Sequence, residues 1–528
     1  MTQINAEGLT SLNASGGSGI AQCNPFNKKL RFLFRIPLGL HYLCWRKSPL
    51  RRNEGGMDFI FFEGGKKITR KSAYNMKLLN VKWKGHPILG DLELDFVNPK
   101  TGKAYDTIVL AGENGSGKTT VLHTLNDFLC VGPINIFEYI DYDINGTSYR
   151  VVPQERSNRF FDIWNNDKNK VEVGRRVDIF QDDEDAEKDP RYYGCVFTRG
   201  AINYKTNKIE KSSSSDVDKE KHDRGNDDSG TPLKQLLVDM EEIYNEEHRL
   251  WYEGQLDKDK RVDDSEVYKK SKIRRFKEAF NNFFDNIKYE GLETGEEKNI
   301  IFKKEGKKIT IDSLSTGEKQ IVFRGAQLLR NIKTMDGGVA MIDEPEISMH
   351  PKWQKKILNY YRNLFNTEGN QEVQLFFATH SEYVVSSALQ DKDNTLVIVL
   401  RQNNGKVEKE TITAPKCLPT ITSAEVNYLA FAIPTVDYHQ QLYSAIQQEN
   451  NITSVKACDE YIANHSKYNA AIHNVPSSHN NTTYETVCTY VRNRIDHQDI
   501  GDYIDEQLAL SIELMREILI ADKPKGSN

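Results

Sequence analysis

The stretch Ala111–Thr120, with the sequence AGENGSGKTT, decides the fold of the chain. Its two glycines flank four residues and are followed by Lys-Thr, which is the P-loop pattern. A strand-like apolar run, Thr107–Leu110, precedes it, and a helix-compatible segment, Thr120–Leu125, follows it. Backbone N–H groups of such a loop cradle phosphate oxygens, the lysine supplies a positive charge, and the helix N-terminus favours an anion. The predicted nucleotide-binding residues in this stretch are Gly112, Glu113, Asn114, Gly115, Ser116, Gly117, Lys118, Thr119 and Thr120.

The bulk properties of the chain narrow the class of protein. Its 528 residues allow two or three domains, and a net charge of −5 gives no overall basic field for nucleic acid. Seven scattered cysteines without a C-x-x-C motif favour a reducing, cytoplasmic location. No apolar run reaches the ~18 residues of a transmembrane helix, so we expect no membrane partner.

A second motif, Leu314-Ser-Thr-Gly-Glu-Lys-Gln320, resembles the signature motif of ATP-binding-cassette (ABC) ATPases. Ser and Gly at a helix start offer a hydroxyl, backbone N–H groups and a positive dipole end to an anion. In this superfamily the signature contacts ATP held by the opposite subunit. The resemblance therefore implies an ATP-sandwiched homodimer, or a higher oligomer built from it, with Ser315, Gly317 and Glu318 at the nucleotide.

Two further apolar runs end in polar residues. Val339–Ile342 leads into Asp343 and Glu344, which is the Walker B pattern; we expect Asp343, with Thr119, to hold Mg²⁺ and Glu344 to polarise the attacking water. Leu375–Ala378 leads towards His380, which matches the switch histidine of the same superfamily. The predicted catalytic residues are Lys118, Glu344 and His380, and the cofactors are ATP and Mg²⁺. The lid-loop glutamine is not assigned, with Gln154 as a weak candidate.

Other segments narrow the resemblance within the superfamily. Pro345-Glu-Ile-Ser-Met-His-Pro351 resembles the OLD/RecF/Rad50-like branch of soluble ATPases. Residues 421–439 and 483–497 are similar to the C-terminal region of bacterial anti-phage ATPases, the PtuA subunits of Septu and retron-associated Septu systems. That similarity implies a partner HNH nuclease of the PtuB type. In retron versions it also implies a reverse transcriptase with its RNA–DNA product (msDNA), so nucleic acid would be part of the complex.

Two other functions remain open. Arg492 and His497 fit the R-x4-H pattern of HEPN ribonucleases, which would make the protein a self-contained, ATP-gated ribonuclease. The alternative for these two residues is a structural helix or a surface that docks a partner. A DNA-repair ATPase of the RecF type is the third interpretation.

The predicted fold class is α/β, an ABC-ATPase head with a P-loop core sheet and an antiparallel β subdomain. We expect residues 1–75 to be an N-terminal extension that can be disordered. The ATPase N-lobe, with the P-loop, follows over residues 76–206. A loop with a helical insert follows over 207–300, where the apolar spacing from Ile273 to Ile287 is helical and carries a basic patch from Lys269 to Lys277. The ATPase C-lobe occupies 301–415, and a mainly helical partner-docking region occupies 416–528.

Overall fold

The structure is a computed structural model. It describes residues 42–43, 60–63, 66–69, 76–130, 132–154, 160–165, 170–175, 194–200, 207–209, 230–256, 268, 271–330, 337–367, 370–371, 373–412, 415–479, 481–497 and 502–523. The chain divides into two units, Met1–Tyr74 and Asn75–Asn528. In the first unit, three short strands pair antiparallel in the order β1-β2-β3. The rest of the predicted extension lies outside the described residues.

Runs of strands are separated by helices along the chain. The strands are β1 Tyr42–Leu43, β2 Ile60–Glu63, β3 Lys66–Thr69, β4 Met76–Trp83, β5 Glu93–Asp95, β6 Thr107–Ala111, β7 Phe137–Ile144, β8 Thr147–Pro153, β9 Phe160–Asn165, β10 Lys170–Arg175, β11 Cys195–Thr198, β12 Ile287–Thr294, β13 Lys298–Lys304, β14 Lys307–Thr310, β15 Val339–Asp343, β16 Asn366–Thr367, β17 Asn370–Gln371, β18 Gln374–Thr379, β19 Thr395–Asn403, β20 Lys406–Thr411, β21 Asn474–His479 and β22 Thr482–Thr486. The helices are α1 Lys118–Leu129, α2 Gly230–Leu256, α3 Lys272–Phe283, α4 Thr316–Leu329, α5 Pro351–Gln354, α6 Ile357–Leu364, α7 Glu382–Ala388, α8 Ser423–Phe431, α9 Val436–Glu449, α10 Val455–Asn464, α11 Ala470–His473, α12 Val487–Asp496 and α13 Asp505–Asp522.

A six-stranded sheet forms the centre of the second unit, in the order β11-β15-β18-β6-β19-β20. The first five strands run parallel, and β20 closes one edge antiparallel. Strands β6, β15 and β18 are buried throughout because helices and a second sheet cover both faces. Their carboxyl ends therefore meet at one edge, where open α/β sheets place their ligands.

Alternate residues of β6 divide the core into two layers. Ile108 and Leu110 pack with α1 and with a second six-stranded sheet. That sheet is antiparallel, in the order β10-β9-β8-β7-β4-β5, with a hairpin at Asn145-Gly146 between β7 and β8. Val109 and Ala111 pack in the other layer, with helices α2 to α4 and α6 to α8. The predicted α/β head with an antiparallel β subdomain is confirmed.

The insert between the two nucleotide motifs differs from the prediction. Helices α2 and α3 form as expected, but Ile287 begins strand β12 and does not extend the helix. Strands β12, β13 and β14 make a three-stranded antiparallel sheet, which the helical spacing did not indicate. Phe284 ends the helix because its backbone is extended, and from there alternate residues such as Tyr289 are buried.

The C-terminal region is mainly helical, as predicted, and has its own core. Helix α13 buries Leu508, Ile512, Met515 and Leu519 against α9 and α12. One antiparallel hairpin, β21–β22, interrupts the helices. None of the described helices is long and apolar enough to cross a membrane.

Candidate functional site

The P-loop connects β6 to α1 and depends on its glycines. Gly112, Gly115 and Gly117 have φ values of 141°, 79° and 94°, which are costly for residues with a Cβ atom. A Cβ on Gly112 would lie 2.2 Å from the carbonyl oxygen of Leu400, so a side chain there would displace strand β19. The loop therefore turns tightly over the end of the sheet, with Glu113, Asn114 and Gly115 exposed.

The Lys118 side chain is folded into this loop. Its Nζ donates to the carbonyl oxygens of Gly112 and Glu113, at 2.9 and 2.7 Å, and to the Ser116 hydroxyl at 3.2 Å. Burial lowers the pKa of Lys118 from 10.5 to about 8, although nearby carboxylates, above all Asp343, act in the opposite direction. A buried ammonium group with this loop around it fits a polyphosphate, whose charge would stabilise the protonated form.

Two oxygens suited to Mg²⁺ meet beside the P-loop. The Thr119 hydroxyl donates to Oδ1 of Asp343 at 3.1 Å, although the two residues are 224 positions apart in the sequence. Burial raises the pKa of Asp343, and the hydrogen bond from Thr119 partly offsets this effect. Mg²⁺ takes few protein ligands and leaves its other positions to water and phosphate, so one hydroxyl and one carboxylate fit the ion.

Glu344 and His380 lie next to this pair. Glu344 follows β15 and His380 follows β18, and His380 Nε2 lies 3.9 Å from Glu344 Oε1. Burial, and then the charge of Lys118, lower the pKa of His380 below its usual value, which favours the neutral imidazole. The structure thus brings the three predicted catalytic residues to one end of the sheet.

The sequence analysis did not assign a role to Glu346, which belongs to this site. It is buried, and its Oε1 accepts from the Thr379 hydroxyl and from the His380 N–H, both at 2.8 Å. Burial raises its pKa, against the effect of these hydrogen bonds. Glu346 therefore fixes the turn that carries His380. The one sequence signal for Glu346 was its place in the Pro345–Pro351 segment.

The signature residues form the start of α4. The Ser315 hydroxyl accepts from the Glu318 N–H at 3.4 Å, and the Glu318 carboxylate accepts from the Ser315 N–H at 2.8 Å, which is a capping box. Glu318 also forms an ion pair with Lys304 at 2.7 Å. Burial acts to raise the pKa of Glu318, but the contacts with Lys304 and Ser315 outweigh burial and lower that pKa. Its carboxylate thus shapes the turn, and a nucleotide contact by Glu318 stays a prediction. Across the described ranges, Ser315 and Gly317 share no hydrogen bond with the P-loop.

Other predicted residues have local partners. Arg492 binds the Asp496 carboxylate at 2.7 Å and the Asn493 side-chain oxygen at 2.9 Å. His497 ends α12 and stacks on His479, with ring centroids 4.2 Å apart. The catalytic role of Arg492 and His497 stays a prediction.

The basic patch and the lid glutamine stay predictions, and two of their described residues have local partners. Lys272 is buried and donates to the carbonyl oxygen of Arg330 at 2.8 Å, whereas Lys269 and Lys270 lie outside the described residues. Gln154 donates to Asp162 at 2.6 Å within the antiparallel sheet. The residue that lies against the Glu344 carboxylate is Gly200, which follows β11.

Two sequence comparisons relate the chain to known proteins. A family model described as "AAA domain, putative AbiEii toxin, Type IV TA system" matches residues 108–386. The chain is also similar to a retron Vc95 probable ATPase of Vibrio cholerae serotype O1 biovar El Tor, with 28% identity over 98 residues. That match covers 17% of this chain and 18% of the relative's length.

Solved structures with weak similarity include SMC head domains. One, from Pyrococcus furiosus, has an extended coiled coil and is bound to the C-terminal domain of ScpA; it is 16% identical, with a TM-score of 0.34, over 64% of this chain and 96% of that chain. Another, from Thermotoga maritima, is 14% identical, with a TM-score of 0.31, over 64% of this chain and 99% of that chain.

Proposed function

The chain belongs to the AAA domain family described as putative AbiEii toxin, Type IV TA system, and from this premise we propose that it binds and hydrolyses Mg²⁺–ATP to control a defence partner. The single observation that carries the proposal is the 3.1 Å contact between Thr119 and Asp343. It joins the P-loop to the end of β15, with Lys118, Glu344 and His380 around it. If this edge of the sheet had only a structural role, hydroxyl, carboxylate and ammonium groups would not need to meet there.

Each residue has a distinct task in this mechanism. The P-loop N–H groups and Lys118 would bind the phosphates. Thr119 and Asp343 would hold Mg²⁺, which would neutralise phosphate charge. Glu344 accepts a hydrogen bond from the attacking water and orients it towards the γ-phosphate. His380 donates a hydrogen bond near the γ-phosphate.

We further propose that ATP is bound between two copies of the chain. The Ser315 hydroxyl and the N–H groups at the start of α4 would reach the γ-phosphate held by the other copy. The capping box supports this proposal because it fixes the first turn of α4 before any ligand is bound. Gly317 has a packing reason too, since a Cβ there would lie 2.7 Å from the carbonyl oxygen of Ser348.

The proposed partner is an HNH nuclease of the PtuB type, in a complex with a retron reverse transcriptase and msDNA where a retron is present. The similarity to a retron ATPase and the toxin–antitoxin description of the family support a defence role. We place the docking surface in the C-terminal region, which has a hydrophobic core of its own. When ATP binding brings the ATPase heads of two copies together, this association would hold or release the nuclease.

The test compares the wild type with Glu344→Gln, and Glu460→Gln on an exposed face of α10 is the matched control. We expect Glu344→Gln to bind ATP normally, to lose about 100-fold or more in turnover, and to elute as a dimer with ATP. Phosphate release and light scattering during gel filtration measure these properties. Full turnover by Glu344→Gln would refute the proposed mechanism.

The partner is tested by purifying the chain from its native operon and identifying what accompanies it. Mass spectrometry and nucleic-acid sequencing should find an HNH protein. Cleavage of tRNA by the purified chain alone would instead favour the ribonuclease interpretation. Tight binding to gapped DNA without a nuclease would favour the DNA-repair interpretation.

A further inference from the structure

Resting on the proposed function, we propose that Arg324 and Gly200 are positioning residues for Glu344. Arg324 lies in α4, the helix that begins with the signature. The two residues make the pose of the catalytic carboxylate depend on the position of this helix. Hydrolysis then requires both bound ATP and a correctly placed signature helix.

The first observation is the hydrogen bonding of Arg324. This side chain is fully buried, with a relative exposure of 0%. Its Nη1 donates to the carbonyl oxygen of Glu344 at 3.0 Å, and its Nη2 donates to those of Arg199 and Gly200 at 2.7 and 2.8 Å. Burying a guanidinium group is costly unless it is well hydrogen-bonded, and its rigid fork fixes the directions of these bonds. Arg324 therefore ties α4 to the peptide of the catalytic glutamate and to the segment after β11.

The second observation is the backbone of Glu344. Its φ is +46°, a left-handed conformation that costs a residue with a Cβ atom of the order of 1 kcal/mol or more. The Glu344 N–H donates to the carbonyl oxygen of Ala378 in β18 at 2.9 Å, and the Glu344 carbonyl accepts from Arg324. The Glu344 carbonyl oxygen also accepts from the Ile347 N–H at 3.3 Å. The strained residue is thus held from both sides, and Arg324 supplies the attachment that comes from α4.

The third observation is the space around the Glu344 carboxylate. A Cβ on Gly200 would lie 2.6 Å from Glu344 Oε2 and 3.3 Å from its Cδ. Gly200 follows β11, which pairs in parallel with β15, so the two strands deliver Gly200 and Glu344 side by side. A side chain at position 200 would push the carboxylate aside while leaving the backbone in place.

The geometry of α4 connects these contacts to the signature. Arg324 lies nine residues after Ser315, which is two and a half helical turns, or about 13 Å. A hydrogen-bonded helix moves as a unit over this distance, so a shift at its first turn is passed to Arg324. Contact of the signature with ATP would therefore adjust the Glu344 peptide through Arg324.

The experiment compares Arg324→Lys and Gly200→Ala with Arg362→Lys as the matched control. Arg362 is also largely buried, but it binds Thr107 at 3.2 Å and Asp391 at 3.2 Å, at the opposite end of the sheet. We expect both test variants to lose ~100-fold in kcat, as for a misplaced catalytic group, with ATP affinity within about twofold of wild type. The control should keep its kcat.

Double variants with Glu344→Gln separate positioning from general damage. If Arg324 and Gly200 act through the carboxylate, adding either substitution to Glu344→Gln should lower turnover no further. Normal kcat in both single variants, or an equal loss in Arg362→Lys, would overturn the inference. If Arg324→Lys does not fold, Gly200→Ala alone decides, since it removes no contact.

The two proposals fail in different ways. Full turnover by Glu344→Gln refutes the proposed function. An inactive Glu344→Gln together with fully active Arg324→Lys and Gly200→Ala variants overturns only the positioning role.

Discussion

The affinity for ATP should fall as the pH rises through 8, because the lysine that we propose binds phosphate is buried. In the free protein the pKa of Lys118 is about 8. Bound phosphates raise that pKa, so above pH 8 binding must first add a proton to the lysine. The charged fraction falls from about 90% at pH 7 to about 10% at pH 9, and the affinity should fall about tenfold with it. An ordinary lysine, with a pKa near 10.4, would give almost no change over this range.

Isothermal titration calorimetry measures both parts of this prediction. Wild-type protein should bind ATP about tenfold more weakly at pH 9 than at pH 7. Titrations in buffers of different ionisation enthalpy should also show uptake of about 0.9 proton at pH 9. In the free protein, burial lowers the pKa of His380, away from this range.

Two variants test whether Lys118 is the source of the pH dependence. Lys118→Arg keeps its charge at every pH used, so any ATP binding that it retains should not vary with pH. Thr119→Ala should bind more weakly but keep the tenfold slope, because its lysine is unchanged. Equal wild-type affinity at pH 7 and pH 9 would refute the reasoning.

Four further predictions concern single positions. The stability of wild type relative to Lys118→Met should rise by at most about 3 kcal/mol from pH 7.5 to 10.5, since the buried lysine is destabilising only while charged; denaturant melts at several pH values measure this. Gly112→Ala should abolish ATP binding in calorimetry or prevent folding, because its Cβ would lie 2.2 Å from the carbonyl oxygen of Leu400. Ser315→Arg should bind ATP but form no dimer in light scattering when combined with Glu344→Gln, since the larger side chain blocks the partner's phosphate. His497→Ala should leave any tRNA cleavage by the purified complex unchanged, and loss of cleavage would support the ribonuclease interpretation.

The predictable parts of the site were those with a local pattern. The P-loop, Walker B and histidine segments each combine a buried apolar strand with polar residues directly after it. Because parallel strands end at the same edge, the meeting of Thr119 with Asp343 followed from the sequence alone. Helix α13 was predictable for a similar reason, since its apolar residues recur at helical spacing.

The parts that were missed depend on contacts between distant residues. Arg324 is 125 positions from Arg199, and nothing in either local sequence indicates their hydrogen bond. Gly200 carries no motif, and its role appears only when the Glu344 carboxylate is placed beside it. Ile287 was assigned to a helix because its spacing from Phe283 and Phe284 is also helical, although the chain turns into a strand there.

The residues that would bind ATP and those that would hydrolyse it belong to different parts of the fold. Lys118 and Thr119 begin α1, which packs in one core layer. The Glu344 peptide is held by Arg324 from α4, which packs in the other layer. A shift of α4 can therefore change the pose of Glu344 while the P-loop stays intact. We infer that the protein can hold ATP without hydrolysing it until the signature helix is engaged, which suits the proposed role of restraining a nuclease.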